Sequence, residues 1–191
     1  MNGPIQSLAG QLLIAMPNLA DPNFWQAVVL LGVHSDDDGA FGLIINRTLD
    51  VDLREVLQEL GEEAATGDFP AVLGGGPVQP SHGFVLFERG QHEVADDEIA
   101  IADSIVVSGS TETLTRLTQE VGDTRYFLLL GYAGWHPGQL EREIEENSWV
   151  IAPLDTSMIF DVPVEERWAA ALKLIGIDPG TLVDAGSTEP S

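Results

Sequence analysis

Cysteine is absent from the 191 residues. That excludes disulfides, thiolate nucleophiles, iron–sulfur clusters and cysteine-ligated zinc. Lysine is almost absent as well. Lys173 and seven arginines face 31 acidic residues, for a formal net charge of −23. The acid is spread along the chain (Asp36–Asp38, Glu62–Glu63, Asp96–Glu98, Glu143–Glu146, Glu165–Glu166), so it is a property of the whole surface and not of a tail. Such a surface repels itself and disfavours polyanionic partners. The arginines at 47, 54, 89, 116, 125, 142 and 167 form no basic stripe. Because duplex binding draws heavily on phosphate neutralisation, direct nucleic-acid binding is disfavoured.

Long hydrophobic runs are missing too. The longest, Tyr126 to Trp135, is far short of the ~20 residues a membrane helix needs, so no membrane association is expected. The first basic residue is Arg47, which leaves no cationic leader for export and points to a cytoplasmic protein. Nothing in the composition selects an oligomeric state.

A chain of this length and 44% hydrophobic content supports one domain, expected over 1–183, with 184–191 as a polar, frayed tail. Strands are expected at 11–16, 26–34, 41–46, 84–87 and 126–130. One or two more fall within 99–107, and a short one at 149–152. The 26–34 and 41–46 runs join through Asp36-Asp37-Asp38-Gly39 as a hairpin. Both arms are nearly continuous in apolar residues, as in a sheet covered on both faces.

Helices are expected at 52–60, with Asp52 as cap, at 111–121, capped by Ser110, and from Pro137 to about Asn147. A last one opens at Pro163 and ends at Gly176. Ile159-Phe160 reads as a further edge of the sheet. The clustering of strands with interspersed helices indicates an α+β domain, with a mixed sheet flanked by helices in α/β-type layers.

No motif names a reaction. G-x-S-x-G does not occur. The histidines (34, 82, 92, 136) make neither H-x-H nor H-E-x-x-H, and three consecutive aspartates lack the alternation of a calcium loop. No catalytic residue, metal or cofactor is assigned.

The most informative stretch is Leu130 to Trp149, read as a strand end, a glycine-rich loop (Gly131, Gly134, Gly138) and a helix start. Such a loop can present backbone N–H groups to an anion, and glycine there equally serves a sharp turn. Gly74-Gly75-Gly76-Pro77 is the tightest backbone punctuation in the chain.

These segments carry a resemblance. Leu12 to Pro17, Gly42 to Arg47, Gly75 to Val78, Leu130 to Trp135 with Gly138 to Glu141, Asn147 to Trp149, Ile159 to Asp161 and Arg167-Trp168 together resemble the AlgH/YqgE family, also called UPF0301 or DUF179. Thr48, His82 and Phe87 depart from its usual proline, arginine and histidine. The resemblance implies a bacterial cytoplasmic protein with an α/β or α+β fold around a bulged mixed sheet. It supplies no established activity, although one member is linked genetically to control of alginate production.

The expected role is a non-enzymatic regulatory or adaptor protein that binds a protein partner or a small ligand. Its surface would form where Asn46, Arg47, Gly75, Gly76, Trp135, Gln139 and Glu141 converge. The competing reading is structural: Trp135 and Trp149 as core, Gln139 as a backbone cap, and Arg47 paired with Glu141 as a strut. An enzyme with an anion site at Gly131 to Gly138 is the alternative from another class.

Overall fold

The computed structural model describes residues 6–63, 67–120 and 122–185. In chain order it forms β1 (Leu12–Ala15), a single 3₁₀ turn (Pro22–Phe24), β2 (Val28–Ser35), β3 (Gly39–Ile44), α1 (Leu53–Glu59), β4 (Leu73–Gly74) and β5 (Val78–Glu88). There follow β6 (Glu98–Ile101), β7 (Ile105–Ser108), α2 (Thr111–Gln119), β8 (Tyr126–Trp135), α3 (Gln139–Glu145) and β9 (Trp149–Ala152). The chain then runs through α4 (Thr156–Phe160), a second 3₁₀ turn (Val164–Glu166), α5 (Arg167–Leu174) and α6 (Pro179–Ala185).

One nine-stranded sheet organises the chain in the order β6-β7-β5-β8-β3-β2-β1-β9. Every neighbour on that path is antiparallel. β4 alone runs parallel, against the middle of β8, and makes the sheet mixed. β8 is therefore the pivot. β5 pairs along one of its edges, while the other edge takes β4 first and then β3. The expected α+β domain with a bulged mixed sheet is what folds.

Alternation explains why β1 and β2 read as unbroken apolar runs. Leu12, Ile14, Val28 and Leu30 point to one face, where Met158, Ile159, Trp168, Ala171 and Leu172 from α4 and α5 cover them. Leu13, Ala15, Val29 and Leu31 point to the other, under Phe24, Trp135, Leu140 and Trp149. Burial of one such leucine is worth roughly 1.5–3 kcal/mol, so both covers are strongly held. A third cluster packs α1 (Leu53, Leu57) and α2 (Leu114, Leu117) on the β5–β8 end.

Asp52, Ser110 and Asp155 cap α1, α2 and α4 through their side chains, each accepting a backbone N–H two residues on. The cap at Asp155 corrects the expectation for Ile159-Phe160. Those residues do not extend the sheet but end α4, whose buried Met158 and Ile159 pack on it from outside. Pro163 opens a 3₁₀ turn that runs into α5, Gly176 ends that helix at φ +78°, and α6 follows. Of the expected 184–191 tail, 184 and 185 are the last residues of α6 and the remainder lies outside the described residues. Among the described residues no helix is long and apolar enough to cross a membrane.

Candidate functional site

β8 does not stop at Leu130. It continues through Gly131 and Gly134 to Trp135, so most of the expected loop is strand. The kink at Gly131 makes this possible. Its φ is +79°, and a Cβ there would lie 2.3 Å from the Gly76 carbonyl oxygen. Gly76 is pinned in turn, since its own Cβ would lie 2.1 Å from the Tyr132 carbonyl carbon. The two glycines let the 74–77 segment pass flush against β8, where Gly75 donates to Leu130 O and accepts from Ile44 N. Gly131, Gly75 and Gly76 are thus a bulge and its close-packed neighbour. Gly134 pairs with Phe41 inside the ladder, and Gly138 (φ +78°) ends the short turn into α3. Pro137 precedes that N-terminal glycine and does not occupy the first helical position.

Trp135, Gln139 and Glu141 belong to the layer beneath, and their polar groups are spent internally. Trp135 Nε1 and Trp149 Nε1 each donate to Glu143 Oε2 at 2.9 Å. Gln139 Nε2 donates to Glu143 Oε1 at 3.0 Å, and Gln139 Oε1 accepts from His136 N at 3.0 Å. Glu143 is the hub of this layer. Nothing in the residue pattern sets it apart from the other acids of α3 except its i+4 spacing from Gln139 between two tryptophans. Both indoles are core, 5% and 1% exposed, with Phe24 packed against both rings.

Glu141 pairs with His34 and not with Arg47. His34 Nε2 lies 2.5 Å from Glu141 Oε1, and His34 Nδ1 accepts from Leu8 N at 3.0 Å. With Nδ1 accepting, the proton sits on Nε2 and points at the carboxylate. Burial raises the Glu141 pKa, but the hydrogen bond and charge of His34, the Glu141 backbone N–H and Arg142 together outweigh it, and the carboxyl is held below its ordinary value. His34 is 7% exposed, a buried strut in β2.

Asn46 and Arg47 stand on the other side of the 3₁₀ turn. The Asn46 amide bridges Gln26 O and Val28 N, each at 2.8 Å, and so clamps Gln26 in the left-handed region at φ +50°. That clamp fixes the loop carrying Trp25, which is 39% exposed. Arg47 Nη2 donates to the Trp25 carbonyl, and Arg47 O accepts from Gly74 N at 2.8 Å. Burial lowers the Arg47 pKa, and among the described residues no carboxylate pairs with it.

Among the described residues Arg47, Arg142 and Arg167 are the arginines without an ion-pair partner. Arg54, Arg89, Arg116 and Arg125 each pair with an aspartate or glutamate. Arg47 instead faces an open groove of about 340 Å³ lined by Pro22, Asn23, Thr48, Leu49, Gly74 and Pro77. The expected site residues therefore divide. Asn46, Arg47, Gly75 and Gly76 shape one accessible face. Gly131, Gly134, Trp135, Gly138, Gln139 and Glu141 build the frame behind it.

Comparisons with known proteins agree with this architecture. A family model described as AlgH-like (DUF179) matches residues 12–180. A UPF0301 protein of Xylella fastidiosa (strain 9a5c) is 39% identical over 186 residues, covering 96% of this chain and 97% of that one. A UPF0301 protein of Anaeromyxobacter dehalogenans (strain 2CP-1) is 41% identical over 190 residues, covering 95% of each. The solution structure of the AlgH protein of Pseudomonas aeruginosa superposes with a TM-score of 0.77 at 36% identity, over 96% of each chain. A crystal structure of a Corynebacterium diphtheriae protein shares the fold, with a TM-score of 0.68 at 24% identity over 91% of this chain and 89% of that one.

Proposed function

The chain belongs to the AlgH-like (DUF179) family, and from that premise we propose that it is a non-enzymatic cytoplasmic adaptor or regulatory protein, which takes a protein partner or a small ligand on the Trp25–Arg47 face. One observation carries the reading. Arg47 is a partly buried cation with no carboxylate partner among the described residues, facing an open groove in a chain of net charge −23. Tryptophan and arginine are the residues most enriched at binding hot spots, and here Trp25, on a preorganised segment, stands beside Arg47. Asn46 holds the segment in place, so little ordering remains to be done on binding.

The polar groups of the frame have internal partners, which suits support better than chemistry. The net charge works against contact with DNA phosphates, so regulation would run through a protein or a small ligand.

Trp25→Ala and Arg47→Gln test the reading against Arg116→Gln, which alters an exposed ion pair on α2. Partners captured by the wild-type chain are identified, purified and re-bound to each variant, alongside a thermal-shift panel of organic acids and nucleotides. Binding lost in the two face variants and kept in Arg116→Gln is expected. Binding kept in all three removes the proposal.

A further inference from the structure

Resting on that reading, we infer that the group received at Arg47 is a single carboxylate attached to a small apolar body. The guanidinium spends one nitrogen on the Trp25 carbonyl. A planar fork with four further N–H donors remains, and its geometry matches a carboxylate in bidentate fashion. A second donor stands beside it. Thr48 bridges Leu73 at a non-hydrogen-bonded position of an antiparallel pair, because the flanking bonds are Leu49 N to Val72 O and Gly74 N to Arg47 O. The Thr48 N–H is consequently turned away from the ladder, and Thr48, an exposed residue, lines the groove with Asn23.

Charge selects the valence of the anion. One guanidinium balances one negative charge. Asp21, which accepts from Asn23 N at 2.9 Å, and Asp50 beyond Thr48 add negative potential nearby. A phosphate close to dianionic at neutral pH would leave charge uncompensated on a surface already at −23. A monocarboxylate would not. The remaining walls, Pro22, Leu49 and Pro77, are apolar and suit a short branched or aromatic body. The same chemistry is offered by a free organic acid and by the C-terminal carboxylate of a peptide ending in an apolar residue.

The test titrates benzoate, inorganic phosphate, and a short peptide ending in leucine, free or amidated, into ¹⁵N-labelled protein. The Thr48 amide and Arg47 Nε–H signals are followed, with the Trp135 and Trp149 indole signals as reference. Benzoate should move the first pair saturably and leave the indoles in place. Arg47→Gln should bind it roughly ten- to hundredfold more weakly, with Arg47→Lys intermediate because a point charge lacks the fork. Benzoate binding alone identifies a free acid as the source. Preference for the free over the amidated peptide identifies a chain terminus, and both support the inference.

Equal benzoate affinity in wild type and Arg47→Gln overturns it, as does phosphate binding at least as tightly as benzoate. Should Arg47→Gln not fold, Thr48→Val and Asn23→Ala, at exposed positions, must each weaken benzoate binding, and unaltered affinity in both overturns it equally. Partner capture that depends on Trp25 and Arg47 without any benzoate binding sinks the carboxylate inference alone and leaves the proposed function standing.

Discussion

Trp135 and Trp149, fourteen residues apart, aim their indole N–H groups at the same oxygen, Glu143 Oε2, each at 2.9 Å. Their rings cross edge to face at 5.8 Å between centroids. One carboxylate therefore ties the end of β8, the helix α3 and the start of β9 into a single layer. Glu143→Ala removes the acceptor of two buried N–H donors and should cost about 2–4 kcal/mol. Glu143→Gln should cost less. Its amide oxygen can still serve the indoles, but its NH₂ then confronts the Gln139 amide donor, 3.0 Å away in the native pair. Chemical denaturation of both variants, read by tryptophan emission, checks the order. Equal stability of Glu143→Ala and wild type would remove the hub.

Arg167 is 2% exposed and has no carboxylate partner among the described residues. Its guanidinium donates to Val162 O at 3.1 Å and to the carbonyls of Ile45 and Ile159, and it lies 5.1 Å over the Phe127 ring. Burial pulls its pKa down to about 10, so it stays charged at neutral pH. Arg167→Met would orphan three carbonyls and is expected to destabilise by about 3–5 kcal/mol, with Arg167→Lys falling between. Arg116→Gln, which breaks an exposed pair, should stay within roughly 0.5 kcal/mol of wild type. Urea midpoints of the three variants decide it.

The elements with strong periodicity were legible before the structure. These include the 28–44 hairpin and the capped helices α1 and α2. What escaped has physical causes. Glycine reads as loop, yet at Gly131 its freedom of φ keeps a strand going past a close neighbour. The start of β5 is hidden because Val78 and Gly83 are separated by a four-residue excursion, Gln79 to His82, containing a proline and exposed side chains. Glu143 and His34 escaped because an acid in an acidic run and a lone histidine carry no sequence sign of what they touch. The structure divides the motif residues, with Asn46, Arg47, Gly75 and Gly76 on one face and the others in the frame behind it. Their separation into frame and face depends on which side of the 22–25 turn each side chain leaves, and periodicity does not encode that.

The glycines differ in what they tolerate. At Gly131 an alanine Cβ would lie 2.3 Å from backbone oxygen and φ is +79°, so both sterics and conformation oppose it. Gly61 has the same φ of +79° with nothing within 4 Å of its Cβ position. Gly61→Ala should cost about 1 kcal/mol, from conformation alone. Gly131→Ala should cost several times more and displace the 74–77 segment from β8. Thermal melts, together with amide exchange at Gly75, whose N–H bonds to Leu130 O, test this pair.

Acidification sets two effects against each other. Neutralising some of the 31 acids relaxes self-repulsion and favours the fold. Against this stand three carboxyls held below their ordinary value in the folded chain. Glu88 is held chiefly by the hydrogen bond from Arg125. At Glu98 and Glu141, burial pushes the pKa up but is outweighed by Ala95 N–H, His92 and Arg116 together in the one and by His34, the Glu141 backbone N–H and Arg142 together in the other. A carboxyl lowered on folding contributes stability that is fully present above its unfolded value, near 4.5, and is lost as pH falls through the lower folded value. Stability should therefore rise or hold from neutral pH toward about 5 and fall below about 4.5. Added salt should raise it at neutral pH, where repulsion is greatest. Glu88→Gln cannot lose that proton-linked contribution, so its stability should be lower above pH 5 and decline less steeply below it. Denaturation curves from pH 3 to 7 for both proteins provide the comparison, and parallel slopes below pH 4.5 would exclude the Arg125 contact as a source of the acid sensitivity.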